Sequence, residues 1–196
     1  MKIILASKSP RRKEILQTLG FEFEVVTADT DESSTETDPR ALTRDLAERK
    51  GREVAKAITQ KDVLVISCDT VVWCDGKILG KPKDEADATA MLKLLSGRKH
   101  TVTSGLSLSF NGKTVTDSED TDVYFAELSD EFIKKYVASG VTMDKAGSYA
   151  VQGVASMWIE KIDGCYFNVF GLPVRLLCRL LEQSGLDAQS LVMNNK

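Results

Sequence analysis

A single carboxylate interrupts an otherwise apolar stretch near the middle of the chain. Val63–Ile66 predicts a strand buried on both faces of a sheet, and the apolar run resumes at Val71–Trp73, directly after Asp69 and Thr70. A carboxylate in such a strand is costly to bury unless a cation or hydrogen-bond donors meet it. Asp69 therefore needs a partner, and Lys81, on a stiff Gly-Lys-Pro loop, is one candidate. The alternative is a partly exposed aspartate near a strand end and an unrelated surface lysine.

Length and composition place the chain among ordinary globular proteins. Its 196 residues suit one large domain or two small lobes, and 42% are hydrophobic and 28% charged. The net charge of −3 argues against a generally cationic surface for nucleic acids or membranes, so a few convergent lysines and arginines would have to bind any anion. We see neither a membrane-spanning run nor a signal sequence, and we expect a cytoplasmic protein. The four cysteines lack CxxC spacing, which favours packed thiols over zinc or disulfides.

The first strand-to-helix junction concentrates positive charge. Ser7, Lys8, Arg11 and Arg12 place a hydroxyl and three cations around one predicted helix N-terminus. Helix N-termini disfavour cations and attract anions, so this arrangement indicates a bound phosphate. The simpler interpretation is a helix cap, which accounts for the Ser9-Pro10 pair but not for the cations.

The next part of the chain contains several carboxylates and a lysine at a position where an apolar residue is expected. The acid-rich segment that includes Asp29, Asp31 and Glu32 is either a solvated loop or the source of a second carboxylate that shares a divalent ion with Asp69. In the next predicted helix Lys50 continues an apolar stripe. Either its stem packs while its ammonium reaches water, or the ammonium enters a cleft.

A second polar stretch, Asp144–Gly153, has the composition of a functional loop. It contains two glycines, the pair Asp144-Lys145 and Gln152, and it suits neither a helix nor a strand. These three polar side chains are candidates for substrate contacts. A purely structural turn is the alternative.

Periodicity and capping signals predict the other elements, and together they indicate one α/β unit or two lobes that share a cleft. His100, the one histidine, is expected at the surface, and the tail after Gly185 is expected to fray. The predicted strands are Lys2–Ala6, Phe21–Val26, Thr101–Phe110, Lys113–Phe125, Met157–Ile162 and Cys165–Phe170, with a hairpin turn at Asn111-Gly112. The predicted helices are Arg11–Leu19, Arg40–Ala57, Asp84–Leu95, Ser129–Ser139 and Val174–Gln183.

Collected, these features suit hydrolysis of a phosphoanhydride. Cations would neutralise phosphates, a metal would orient them, and a carboxylate would activate water. A nucleotide-binding regulator would need nearly the same groups. Neither GxxxxGK[ST] nor GxGxxG is present, so the common nucleotide-binding folds are not indicated.

The motifs resemble those of the Maf proteins, nucleoside triphosphate pyrophosphatases once described as septum-formation inhibitors. The resemblance covers almost the whole chain, in the family's order, through LASKSPRRKEIL (Leu5–Leu16), DTDES (Asp29–Ser33), LAERKG (Leu46–Gly51), CDTVV (Cys68–Val72), GKPKD (Gly80–Asp84), DKAGSYAVQG (Asp144–Gly153) and FGLPV (Phe170–Val174). It implies an elongated α/β domain of two lobes around a mixed twisted sheet, with flanking helices and a central cleft. It also implies Mg²⁺ or Mn²⁺ dependence, a homodimer, and release of pyrophosphate with a nucleoside monophosphate.

The resemblance also implies residue roles. Glu32 and Asp69 would be the acidic site residues, both of them catalytic candidates and metal ligands. Asp69 is the usual candidate for the base that activates water, and Lys81 is a further catalytic candidate. The triphosphate would be bound by Ser7, Arg11, Arg12, Lys50 and Lys81.

A subfamily is indicated as well. Arg12, Thr70 and Gln152 resemble the set in the dTTP and UTP pyrophosphatases rather than in the 7-methyl-GTP branch. Gly51 and Cys68 depart from the family pattern, which prefers alanine and a small residue there. A division regulator acting through a protein partner, and an inosine triphosphate pyrophosphatase of related fold, are the alternatives.

Overall fold

The structure is a computed structural model that describes residues 1–193, in which helices flank a mixed sheet. This confirms the predicted α/β class. The strands are β1 (Lys2–Leu5), β2 (Glu24–Val25), β3 (Val63–Cys74), β4 (Lys77–Leu79), β5 (Lys99–Phe110), β6 (Lys113–Phe125) and β7 (Ile159–Asp163). The helices are α1 (Pro10–Thr18), α2 (Pro39–Lys56), α3 (Glu85–Leu95), α4 (Asp130–Ala138), α5 (Tyr166–Phe170), α6 (Val174–Gln183) and α7 (Ala188–Met193).

The sheet combines parallel and antiparallel pairs. Its hydrogen-bonded order is β2-β1-β3-β5-β6-β7, and β4 pairs with β3. β1 runs parallel to β2 and to β3, with Ile4 opposite Val65, whereas β7 runs antiparallel to β6. Asn111 and Gly112 both have positive φ, 48° and 77°, as a type I′ turn between β5 and β6 requires.

Local capping explains where three of the helices begin. The Asp38 side chain accepts a hydrogen bond from the Ala41 amide at 2.7 Å at the start of α2. The Asp84 side chain likewise accepts a hydrogen bond from a backbone amide at the start of α3, and the Ser129 side chain does so at the start of α4. Each cap satisfies an amide that has no partner within its helix, so these boundaries follow from local sequence.

The chain divides into two compact units, and three segments form the first: 1–69, 104–119 and the described residues from Gly171 onward. Its fully buried side chains include Leu5, Ile66, Leu106 and Leu176. β5 approaches α2 so closely that a Cβ on Gly105 would lie 2.1 Å from the Thr43 carbonyl oxygen. Only glycine fits that crossing.

The second unit comprises residues 70–103 and 120–170. Its core gathers side chains from α3, α4 and β6, among them Leu92, Val123 and Ile133. Whether the two units make up a single domain of two lobes stays a prediction. None of the described helices is long and apolar enough to cross a bilayer.

Four expectations about local structure are wrong. β2 is only two residues long, because Val25 and Val26 are exposed and lack a packed face. The segment Cys165–Phe170 contains helix α5, and β7 pairs with β6 instead of with that segment. Part of the tail forms α7, while 194–196 lie outside the described residues. His100 is 2% exposed, packed edge-on against Phe125 and Tyr149.

Candidate active site

Asp69 is buried within β3 and has the cationic partner that its position demands. Its side chain is 12% exposed, and its Oδ1 lies 2.5 Å from the Nζ of Lys50. α2 carries Lys50 to this point, so the lysine in its apolar stripe delivers an ammonium to a carboxylate rather than to open water. The expectation that a cation meets Asp69 is confirmed.

Lys50 also contacts the second candidate carboxylate. Its Nζ lies 2.9 Å from Oε1 of Glu32, whose side chain is 62% exposed. Burial favours the neutral amine, but the charges and hydrogen bonds of Asp69 and Glu32 outweigh it and raise the pKa of Lys50 above its ordinary value. Lys50 is therefore a permanent cation that bridges two carboxylates 37 positions apart in the sequence.

The same geometry bears on the predicted metal site. Glu32 and Asp69 each place one oxygen within 3 Å of a single cationic nitrogen, so the two carboxylates converge on one point. Two carboxylates, completed by water and phosphate oxygens, are the protein share that Mg²⁺ commonly takes. Within residues 1–193 no group of three or more His, Cys, Asp or Glu side chains could hold a metal. The donor types of this pair suit Mg²⁺, and metal binding by Glu32 and Asp69 stays a prediction.

Arg12 connects the phosphate-loop candidates to two other parts of the first unit. Its Nη1 donates to Ser7 Oγ at 3.1 Å and to the Cys68 carbonyl oxygen at 2.5 Å, and its Nε donates to the Gly171 carbonyl oxygen at 2.8 Å. Ser7 Oγ also accepts the Ser9 amide at 3.2 Å. The phosphate-binding role of Ser7 and Arg12 stays a prediction, and the structure adds a bracing role.

The other two cations of this loop differ in exposure. Arg11 is half-buried in the first turn of α1, and Lys8 is exposed with its Nζ 3.8 Å from Asp29. Ser9 caps α1 by position, yet its side chain makes no capping hydrogen bond. The capping interpretation of this loop is therefore weaker than the sequence indicated.

The remaining predicted residues lie in the second unit. Thr70 follows Asp69 on β3 and is half-buried, whereas Lys81 and Gln152 are exposed. The Gly147 amide donates to the Gly80 carbonyl oxygen at 3.1 Å, which ties the Lys81 loop to the Asp144–Gly153 loop.

The Asp144–Gly153 loop is strongly shaped by its own contacts. Lys145 Nζ donates to the Val141 carbonyl oxygen at 2.6 Å and to the Asp144 carboxylate. Gly147 has φ of 66°, and a Cβ there would lie 2.9 Å from a methyl carbon of Val72. Asp144 and Lys145 therefore support the loop, and their substrate contacts stay a prediction.

Nearly the whole chain matches one known protein family. The family model described as "Maf-like protein" matches residues 2–184, which include every residue of the candidate site. The chain belongs to the Maf family. The family resemblance inferred from the motifs is confirmed.

Three curated relatives of this Maf protein share the name dTTP/UTP pyrophosphatase. The relative from Thermoanaerobacter sp. (strain X514) is 46% identical over 93% of this chain and 96% of its own. The one from Clostridium perfringens (strain 13 / Type A) is 47% identical, with coverage of 93% and 96%. The one from Clostridium acetobutylicum (strain ATCC 824) is 46% identical, with coverage of 95% and 100%.

Two solved structures resemble this Maf protein more weakly. A nucleoside-triphosphatase / dITP/XTP pyrophosphatase from Mycobacterium abscessus has a TM-score of 0.41 and 23% identity, covering 65% of this chain and 76% of that one. The Staphylococcus aureus Ham1 protein has a TM-score of 0.47 and 15% identity, covering 99% and 95%. Both TM-scores are below 0.5 and both identities are below 25%, so these similarities carry no argument about fold or function.

The two departures from the Maf pattern have local explanations. A Cβ on Gly51 would lie 2.5 Å from Ser67 Oγ, so glycine lets α2 approach β3 beside Lys50. Cys68 is fully buried, its Sγ lies 3.6 Å from the Gly171 carbonyl oxygen, and its own carbonyl oxygen accepts Arg12. Both departures in this Maf protein thus lie at close contacts around Asp69.

Sequence reasoning missed Arg49. Its guanidinium contacts the backbone on both sides of Glu32, and it pairs with Asp45 one helical turn away. The only sequence signal was the i,i+4 spacing of Asp45 and Arg49, which is common on exposed helices. Backbone carbonyl acceptors leave no trace in a sequence.

Proposed function

We propose that this protein hydrolyses the α–β phosphoanhydride of dTTP and UTP, releasing pyrophosphate and the nucleoside monophosphate. The observation that carries the proposal is the convergence of Asp69, Glu32 and Lys50, in a chain that aligns over 93% of its length with relatives named dTTP/UTP pyrophosphatase. Such an enzyme would remove these nucleotides from cellular pools.

Asp69 is the proposed general base. In the proposed step the oxygen of a water molecule bonds to the α-phosphorus while its proton passes to the Asp69 carboxylate, and the bond to the bridging oxygen breaks. Pyrophosphate leaves with the electron pair of that bond. The buried position of Asp69 supports this role, because a carboxylate held by one lysine is oriented before substrate arrives.

Cationic side chains would hold the triphosphate. We propose Ser7, Arg11, Arg12, Lys50 and Lys81 for this role. Thr70 and Gln152 would meet the edge of the pyrimidine, and Asp144 and Lys145 would shape the loop that carries Gln152. Lys81 is exposed, which suits a side chain that approaches phosphate only when the nucleotide is bound.

Glu32 and Asp69 are the proposed ligands of Mg²⁺ or Mn²⁺. A bound divalent ion would neutralise charge on the phosphate oxygens. EDTA is expected to abolish pyrophosphate release and added Mn²⁺ to restore it. Paramagnetic resonance of free Mn²⁺ should show weaker binding for Glu32→Gln and Asp69→Asn than for wild type. Equal binding by all three proteins would contradict the assignment.

Two further properties complete the proposal. We propose that the protein acts in the cytoplasm, where its substrates are made, and that it forms a homodimer. Light scattering after size exclusion should give about twice the chain mass of 21.6 kDa. A mass of one chain would contradict the dimer.

A substrate panel tests the activity. Pyrophosphate release is measured with dTTP, UTP, CTP, 7-methyl-GTP and ITP in the presence of Mg²⁺, and dTTP and UTP are expected to react fastest. A preference for ITP would favour an inosine triphosphate enzyme instead. Loss of the proposed base in Asp69→Asn should lower turnover by about a thousandfold while nucleotide binding persists. A regulator would keep both binding and its cellular effect in that variant.

A further inference from the structure

Glu32 lies on an exposed segment without regular secondary structure. Residues 26–38, between β2 and α2, contain no helix or strand, and almost all of them are exposed. The Glu32 side chain is itself 62% exposed, so packing does not hold it. Its carboxylate nevertheless lies 2.9 Å from Lys50 Nζ. The contacts of the backbone around Glu32 therefore bear on where this carboxylate lies.

Arg49 supplies two such contacts. Its Nη1 donates to the Asp31 carbonyl oxygen at 3.2 Å and to the Ser33 carbonyl oxygen at 3.0 Å, and these two carbonyls flank Glu32. Its Nη2 pairs with the Asp45 carboxylate one turn earlier on α2. The guanidinium is thus oriented by its own helix and donates to the loop on both sides of one residue.

We propose that Arg49 is a positioning residue that holds the backbone around Glu32 so that the Glu32 carboxylate stays at the site. Arg49 and Lys50 are neighbours on α2, so one helix segment fixes both the loop and the cation that Glu32 meets. In this proposal Arg49 acts through Glu32 and not on the substrate. The inference rests on the proposed role of Glu32 as a metal ligand.

The local chemistry requires arginine. A planar guanidinium offers several donors at fixed angles, so it reaches two carbonyls and one carboxylate together, whereas an ammonium on a flexible stem does not. The loop also contains a tight turn, because the Ser33 amide donates to Asp31 Oδ1 at 2.8 Å. Arg49 holds both ends of that turn.

α2 provides a matched control. Arg52, three residues further on, pairs with Glu48 by the same i,i+4 spacing, and its side chain is 61% exposed. Arg49→Lys and Arg52→Lys make the same chemical change one turn apart. An effect on charge or helix stability alone would be similar in both variants.

The kinetic experiment measures pyrophosphate release from dTTP against Mn²⁺ concentration. Arg49→Lys is expected to raise the Mn²⁺ midpoint and lower kcat by about tenfold each, with a nearly unchanged KM for dTTP at saturating Mn²⁺, and Arg52→Lys to match wild type. In a Glu32→Gln background Arg49→Lys should have no further effect, since it acts through Glu32. Equal effects of the two lysine variants, or a full tenfold loss in that background, would overturn the inference.

A second measurement does not depend on activity. Hydrogen exchange of a peptide within residues 27–38 should speed up several-fold in Arg49→Lys and not in Arg52→Lys, with thermal unfolding curves showing that both variants are folded. Unchanged exchange in Arg49→Lys would overturn the inference even if the enzyme is active. If wild type releases no pyrophosphate from dTTP or UTP, the proposed function fails, and the exchange comparison still decides whether Arg49 holds the backbone around Glu32.

Discussion

Lys50 balances two negative charges that lie at different depths. Asp69 is buried, so it relies on Lys50 for stabilisation, whereas Glu32 is largely hydrated and relies on it less. The ammonium also stands at the point where the two carboxylates would meet a divalent ion. Any cation that enters must compete with Lys50, and triphosphate oxygens offer Lys50 another partner.

Lys50→Met tests this balance. The variant keeps the packed stem but leaves Asp69 buried without its ammonium, so we expect a loss of about 2 kcal/mol in the free energy of unfolding. Turnover of dTTP should fall at least a hundredfold. Lys56→Met removes an exposed lysine from the same helix and is the control. Urea denaturation at pH 7 measures stability, and a variant as stable and active as the control would contradict the assignment.

Arg12 is the second site residue whose contacts also stabilise the surrounding structure. Arg12→Lys cannot supply both the Nε donor to Gly171 and the Nη1 donor to Cys68. We expect a loss of about 1–2 kcal/mol, because a carbonyl group in this region loses its donor. Arg175→Lys, at an exposed position on α6, is the control. Equal thermal midpoints for the two variants would show that the bracing contacts contribute little.

At the scale of elements, the approach of α2 to β3 sets the site. Gly51 and Ser67 face each other beside Lys50 and Asp69, and Ser67 Oγ donates to the Ala47 carbonyl oxygen at 2.8 Å. The helix therefore approaches the strand closely at this point, beside the Lys50–Asp69 pair.

Gly51→Ala should disturb this contact. The new methyl would lie 2.5 Å from Ser67 Oγ, so we expect a loss of about 1–3 kcal/mol and lower turnover as α2 shifts. Combining it with Ser67→Ala removes the clashing oxygen and leaves a Cβ distance of 3.4 Å, so stability and turnover should partly recover. A double variant worse than Gly51→Ala alone would show that the clash is not the cause. Urea denaturation and dTTP turnover of both single variants and the double variant complete the cycle.

At the scale of the molecule, His100 links stability to pH. Burial lowers its pKa from 6.5 to about 4, and the nearby Asp122 only partly opposes this. Between pH 6.5 and about pH 4, His100 binds a proton in the unfolded chain but not in the folded protein. The free energy of unfolding should therefore fall as the pH drops through this window, by about 2–3 kcal/mol at its lower end.

His100→Gln tests this linkage, because the chain has one histidine. The variant should lose the slope between pH 6.5 and 4.5 while keeping a partner for the Tyr149 hydroxyl, which lies 2.8 Å from His100 Nε2 in wild type. Below pH 4 both proteins should lose stability alike, as carboxylates with lowered pKa values such as Asp45 and Asp187 become protonated. The free energy of unfolding of both proteins is measured by urea denaturation at each pH. If it falls in parallel for wild type and His100→Gln above pH 4.5, the role of His100 is contradicted.

Local sequence signals were sufficient to predict most helices and strands. Sequence patterns did not reveal contacts between residues that are far apart in the chain. The caps Asp38, Asp84 and Ser129 and the Asn111-Gly112 turn act within a few residues, so sequence patterns revealed them. Cys165–Phe170 reads like a strand, yet it contains helix α5, where the Asn168 side chain donates to the Val102 carbonyl oxygen at 3.0 Å, 66 positions away. His100 was misplaced because its packing partners, Phe125 and Tyr149, are 25 and 49 positions away in the sequence.

The candidate site shows the same difference between what sequence patterns reveal and what they do not. Chemistry drew attention to Asp69 and Lys50, because a carboxylate in a buried strand and a lysine in an apolar stripe are each unusual. The choice of Glu32 among the acids of its segment came from the family resemblance. The donors that fix backbone, Arg12 and Arg49, were not recognised in those roles, since their acceptors are main-chain carbonyl oxygens that every residue possesses.

The hydrogen bond from Arg12 to Gly171 spans 159 positions of sequence. A growing chain emerges from the ribosome with Arg12 first, and the acceptor follows 159 residues later. The loop before α1 therefore lacks this hydrogen bond until Gly171 has been synthesised. A nascent chain stalled before Gly171 emerges is expected to be inactive, so a functioning catalyst forms only after Gly171 has left the ribosome.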